Sequence, residues 1–119
     1  MPIINFQKQF ADDVRSGKKT QTIRAPRKYP IEVGDTLYLY TGLRTKSTEK
    51  LGEKVCTRVQ SFDIEKNGLQ CRLGPYVLHY LYNLNKLAVA DGFKDWKGMV
   101  QWFAANHGLP FKGTLITWK

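Results

Sequence analysis

Between Gly17 and Ala25 the chain reads Lys18-Lys19-Thr20-Gln21-Thr22-Ile23-Arg24, its densest run of chemically versatile side chains. Lysine and arginine offer positive charge to a phosphate or a developing oxyanion, threonine a hydroxyl that donates or attacks, and glutamine an amide that pairs with a base edge. The same residues also describe a solvated basic strand, so the surrounding elements must decide whether these groups converge. Two further stretches join basic charge to aromatic rings: Arg27-Lys28-Tyr29, and Arg44 and Lys46 close after Tyr38 and Tyr40. Each could hold phosphate and stack a base, and each reads equally as a surface loop.

Other chemistry is thinly represented. His79 and His107 have no second ligand or acid at useful spacing, and Cys56 and Cys71 form no C-x-x-C pair. No metal or other cofactor is expected, and the cysteines read as reduced, buried thiols. Trp96, Trp102 and Trp118 read as core rather than base-stacking residues, with Trp102 lying off the main apolar stripe.

The 119 residues fit one domain spanning 1–119, and 42% hydrophobic residues with six Phe, six Tyr and three Trp suffice for a core. Nineteen Lys and Arg against ten Asp and Glu leave a net charge of +9, which favours an anionic partner such as nucleic acid or a phosphorylated ligand. No apolar run approaches the roughly 18 residues that a membrane span needs, and the amino terminus lacks a signal-peptide pattern. A cytoplasmic, monomeric protein without membrane contact is expected.

The elements that must position these groups follow from periodicity. Phe6, Phe10, Ala11 and Val14 recur at helical spacing, with Asn5 able to cap the start and Gly17 the end. Lys18 to Arg24 fits an extended strand, which the prolines of Ala25–Pro30 interrupt. A turn at Val33-Gly34-Asp35 leads into the clearest strand, Thr36–Tyr40, and the polar stretch Thr41–Lys50 reads as a loop over the cleft. Glu53–Phe62, with Val55, Thr57 and Val59 on one face, and Leu69–Leu73 form a hairpin about Asn67-Gly68. Tyr76–Leu81 fits a strand or a helix. Asn85 is placed to cap a helix over Leu87–Ala90; Trp96, Met99, Val100 and Phe103 mark a second helix, capped by Asp95 and ended by Gly108. Gly113–Trp118 closes the chain as a strand, most simply paired with the first segment in a closed sheet. Helices mixed with mostly antiparallel strands place the chain in the α+β class.

Gly17-Lys18-Lys19-Thr20-Gln21-Thr22-Ile23-Arg24, preceded by Phe6 and Phe10 and followed by Val33-Gly34-Asp35, resembles the G-x-K-T-x-T-I-R signature and G-D turn of the ASCH family. Ala90-Asp91-Gly92-Phe93, the Trp96–Phe103 segment and the closing Gly113–Trp118 are similar to later ASCH segments in the same order. The resemblance implies a small PUA-like β-barrel with flanking helices and a cleft suited to RNA. It also implies a reaction, because a small bacterial branch of the family is an amidohydrolase that removes the acetyl group of N4-acetylcytidine with a Lys, a Thr, a Glu and a nearby Arg. By motif these fall on Lys19, Thr22 and Arg24, while the Glu falls near Asp91, a departure from that branch.

In such a site an uncharged Lys19 takes a proton from the Thr22 hydroxyl or from water, and Arg24 stabilises the charge on the amide oxygen. Lysine, with an ordinary pKa of about 10.4, must be desolvated or crowded by another cation to act near neutrality, and Lys18 and Arg24 are the neighbours available. In an unbroken strand Lys19 and Thr22 point to opposite faces, so they meet only if the backbone is still turning between Gly17 and Thr20. Asp91 reaches about 1.3 Å less far than Glu would, and misplacement of about 1 Å costs up to a hundredfold in rate; its other reading is a helix cap beside Gly92. Three functions stay open. The first is a binding module for RNA or a modified nucleoside, using Lys18, Gln21, Arg27, Lys28, Tyr29, Tyr40, Arg44 and Lys46. The second is a hydrolase, an amidohydrolase or ribonuclease, built on Lys19, Thr22, Arg24 and Asp91. The third is an interaction unit for an acidic protein.

Overall fold

The computed structural model describes residues 2–119, and their elements run β1 (Ile3–Phe6), α1 (Lys8–Ser16), β2 (Gln21–Arg24), β3 (Thr36–Thr41), β4 (Glu49–Ile64), β5 (Cys71–Leu73), β6 (Tyr76–Leu78), α2 (Leu81–Ala90), α3 (Trp96–Asn106) and β7 (Phe111–Trp118). This is the α+β class, with every strand ladder antiparallel except β1 against β3. Strand β4 organises the rest: Glu49–Val55 pairs with β3, Cys56–Ile64 with β7, and its last three residues also with β5.

The sheet does not close into a barrel, and the last strand does not pair with the first. Both edges of β7 are already taken, one by β4 and the other by β2 through Gln21↔Thr117 to Arg24↔Thr114. Strand β1 therefore adds in parallel to β3, and among the described residues no ladder joins β1 to β2.

Helix α1 buries Phe10, Ala11 and Val14 and ends where Gly17 turns left-handed at φ 85°, as the spacing requires. Its start lies later than expected: Phe6 belongs to β1, and Asn5 accepts a hydrogen bond from the Leu43 amide instead of capping the helix. Asn85 likewise lies inside α2. Its side chain accepts from the Trp96 amide at 2.8 Å, and with Asp95, which accepts from Gly98 at 2.8 Å, it caps α3. The ambiguous Tyr76–Leu81 stretch splits into β6 and the start of α2. In β4 alternation buries Cys56 and exposes Val55 and Thr57 on either side of it, and a bulge at Cys56–Arg58 then turns Val59 toward the same core as Cys56.

Two cores result. One packs α1 against β1, β3, Leu51, Cys56, Ile116 and Trp118; the other packs α2 and α3 against Phe62, Ile64, Cys71, Phe111 and Leu115. Adjacent Leu115 and Ile116 point to opposite faces of β7, one into each core, which is why both are buried. None of the described helices is long and apolar enough to cross a membrane.

Candidate functional site

The unjoined edges of β1 and β2 border a cavity of about 310 Å³, closed on its other sides by the end of α2, by Phe93 and by the last turns of α3. Lys19, Thr22, Arg24 and Asp91 all line it, so four of the residues singled out for chemistry meet at one place. The condition on the backbone is met: β2 begins only at Gln21, and Lys18–Thr20 are still outside the strand after the turn at Gly17. The Lys19 amide donates to the Asp13 carbonyl at 2.9 Å, which ties this turn to α1 and sends the lysine side chain inward.

Lys19 and Asp91 retain only 3% and 4% of their exposure. The ammonium group donates to the backbone carbonyl of Asp91, and lies 3.2 Å from its Oδ1 in an ionic contact whose angle is not that of a hydrogen bond. Asp91 thus ends α2 through its backbone while its carboxylate faces the cavity; the side chain does not cap a helix. Lys19 also supplies the cation that favours a helix C-terminus, since the last turn of α2 has no basic residue of its own.

Burial lowers the Lys19 pKa; Asp91 opposes that shift and Arg24 adds to it. Burial likewise raises Asp91, against the pull of Lys19 and Arg24. Arg24 is lowered by burial to about 10, so it stays charged at neutral pH. Its Nε donates to Thr22 Oγ1 at 3.1 Å, and its guanidinium lies 4.8 Å from the centre of the Phe6 ring. A hydroxyl that accepts from a cation keeps its own hydrogen free to donate, and an alkoxide formed there would be stabilised.

The walls are aromatic. Phe10, Phe93 and Trp102 stack edge-on or tilted with centres 5.3 to 6.2 Å apart, and Phe10 also sits 5.1 Å from the Lys19 amine. Trp102, read as core, is half-buried and forms part of the lining, with its indole N–H directed at Gln7 Oε1. Asn106 and His107 complete the mouth at the end of α3. The sequence did not mark these residues as lining: Phe6 and Phe10 sit at helix-like spacing that fits a core stripe equally well, and Trp102, off the stripe of its helix, carries no signal of what it faces.

The outer residues separate from this group. Lys18, Arg27, Lys28 and Tyr29 are exposed; the last three follow Arg24 after Ala25-Pro26, and Arg27 bears on it electrostatically. Gln21 stays with the group: it is half-buried, its amide nitrogen has no hydrogen-bond partner among the described residues, and its side chain joins Lys19 and Arg24 in holding the Asp91 pKa down against burial. Tyr40 lies half-buried in β3, while Arg44 and Lys46 are exposed and line neither this cavity nor the neighbouring groove. The stretch expected as a loop from Thr41 to Lys50 is shorter, because Thr41 ends β3 and Glu49 begins β4, and it borders that second groove, beside α1, and not the Lys19 cavity as its basic composition led us to expect.

Comparison with known proteins agrees on the fold. The chain is similar in structure to a mutant of ZmASCH from Zymomonas mobilis, with a TM-score of 0.58 over 98% of this chain and 18% sequence identity. It spans about two thirds of that protein's length, the match covering 66% of it. No family model matches the sequence, and no curated protein matches it. The fold is therefore that of an ASCH protein, as the motif resemblance led us to expect.

Proposed function

We propose that the cavity receives one base of a nucleoside or of RNA and hydrolyses an exocyclic amide on it, the N4-acylcytidine class being the substrate. One observation carries this reading: a buried lysine, a hydroxyl held by a buried arginine, and a buried carboxylate line one aromatic-walled cavity of about 310 Å³, near the lower end of small-ligand pocket volumes. Ionisable groups are costly to bury, and their convergence in a hollow is a mark of chemistry more than of stability.

In this reading the Thr22 hydroxyl attacks the acyl carbon as its proton passes to the neutral Lys19 amine, and Arg24 holds the developing oxyanion. The C–N bond breaks as Lys19 returns the proton to the departing ring amine, leaving the acyl group on Thr22. Water, deprotonated by Lys19, then cleaves that ester, releasing the carboxylic acid and restoring the threonine. Asp91 holds the amine in place and accepts from the exocyclic N4–H of the bound base.

The bond from Lys19 to the Asp91 carbonyl favours a second reading, binding without turnover, in which the lysine is a fixed C-terminal cap of α2. Incubation with N4-acetylcytidine, followed by chromatographic detection of cytidine, decides between them. Turnover that disappears in Thr22→Ala and Lys19→Ala, with nucleoside binding retained, is the outcome expected. Tight binding of modified nucleosides with no product from any acylated cytidine would leave only the binding module.

A further inference from the structure

Arg24 borders a second, smaller hollow where β2 runs into the loop that follows it. This pocket of about 150 Å³ is lined by Arg24 and Arg27, by the apolar side chains of Pro26, Pro30 and Ile116, and by Thr114. Arg24 pairs with Thr114 across β2 and β7, so their side chains stand on one face of the sheet, the face that Thr22 and Ile116 share. Arg24 and Ala25 line both hollows, which places the pocket directly beside the base cavity.

The two arginines are short of negative charge. Among the described residues neither takes part in an ion pair, and the side-chain hydrogen bond of Arg24 runs from Nε to Thr22, which leaves both terminal nitrogens to donate elsewhere. Beyond the effect of burial, Asp91 pulls the Arg24 pKa up and Arg27 pushes it down, the repulsion of two like charges set close together. No acid lines the pocket, and Asp91, opposite Lys19, is the one acid lining the cavity. Even with Lys19 neutral, as the hydrolysis requires, two guanidiniums share one carboxylate. Lys28, Glu32 and Asp35, the other charged residues of the connection to β3, line neither hollow, and the Asp35 carboxylate is taken by the Glu32 amide at 2.9 Å.

An anion fits this arrangement. Guanidinium forks match the oxygens of a phosphate, and apolar walls strengthen the attraction by lowering the local dielectric. Pro26 and Pro30 fix the backbone of the loop before any ligand arrives. At about 150 Å³ the pocket is well below the roughly 300 Å³ at which small-molecule sites begin, so it suits one group of a ligand and not a second base.

We infer that Arg24 and Arg27 bind in this pocket a phosphate ester carried by the nucleoside whose base occupies the cavity. The inference rests on the base-binding reading of the cavity and adds that the preferred substrate is a nucleotide, free or within a strand, and not a bare nucleoside.

An NMR titration with inorganic phosphate tests the pocket apart from the cavity. The Arg24 and Arg27 Nε–H signals are expected to shift, and the Arg24 shift to shrink in Arg27→Ala; no shift in the wild type would overturn the subsite whatever the cavity binds. Calorimetry then compares N4-acetylcytidine with its 5′- and 3′-monophosphates. One of the two is expected to bind about tenfold tighter than the nucleoside, with that margin lost in Arg27→Ala and partly kept in Arg27→Lys. Arg27 is exposed, so neither variant removes a core contact. Equal affinity for the nucleoside and both monophosphates, or a margin that Arg27→Ala leaves whole, would overturn the proposal. If none of the three binds while inorganic phosphate still shifts both arginines, the reading of the cavity falls, the nucleotide assignment falls with it, and an anion site alone is left. A trinucleotide with N4-acetylcytidine at its centre that binds tighter than either monophosphate would make a strand the source of the phosphate, and weaker binding would make it a free nucleotide.

Discussion

Lys19 Nζ lies 3.2 Å from Asp91 Oδ1, although 72 residues separate the two along the chain. The contact joins the turn after α1 to the end of α2, and it fixes the amine at the floor of the cavity. Because both partners are buried, each depends on the other for its charge.

Asp91→Ala therefore strands a buried ammonium and is expected to cost about 3–5 kcal/mol, measured by urea unfolding. The double variant Lys19→Met, Asp91→Leu removes both charges and should recover most of that loss. A double variant no more stable than Asp91→Ala would show that the pair does not act as a unit.

Burial holds the Lys19 pKa below its ordinary 10.5, so between the folded value and 10.5 the unfolded chain binds the extra proton and stability rises with pH. The contribution is complete above 10.5 and is lost as pH falls through the folded value. Asp91, raised above 3.8, acts in the opposite sense: its contribution is present below 3.8 and is lost as pH rises through its folded value. Thermal melts of the wild type and of Lys19→Met should diverge across the alkaline window; parallel curves would mean that the amine is not desolvated. Amide hydrolysis should show the same group as an ascending limb, with the rate rising as Lys19 loses its proton.

Thr22→Ser keeps the hydroxyl and should retain turnover of N4-acetylcytidine, whereas Thr22→Val fills the same space and should abolish it. Binding of the free nucleoside should change little in either, since the hydroxyl acts in bond making. Valine that turns over at the wild-type rate would make water, activated by Lys19, the nucleophile.

A Cβ placed on Gly113 would lie 2.2 Å from the Arg24 backbone oxygen, and neither backbone can yield without parting β2 from β7. Gly113→Ala is expected to destabilise the fold by about 1–3 kcal/mol, read by thermal or chemical unfolding, and to displace Arg24 from Thr22. Unchanged melting and turnover would show that β2 tolerates the shift.

The amino terminus of α3 is held twice, by Asp95 and by Asn85. Each alanine replacement should cost about 1 kcal/mol, and urea unfolding of the pair should show whether the two caps act independently, as their separate amides predict.

By itself the sequence determined the α+β class, the helix ending at Gly17, the Asp95 cap and the strand at Thr36, because each rests on local periodicity or on one residue's backbone preference. It also marked Lys19, Thr22, Arg24 and Asp91 through their motif. What the tertiary structure alone decided is that β7 gives its free edge to β2 and leaves β1 to β3, since several strands of similar pattern compete for each edge and pairing energy depends on what is already in place. That choice opens the cavity between β1 and β2, makes the core residues Phe6 and Phe10 and the half-buried Trp102 part of its wall, and moves the connection between β3 and β4 to a different groove. Helical or strand spacing reports which side of an element is apolar; it holds no information about whether that side meets a neighbour or borders a hollow.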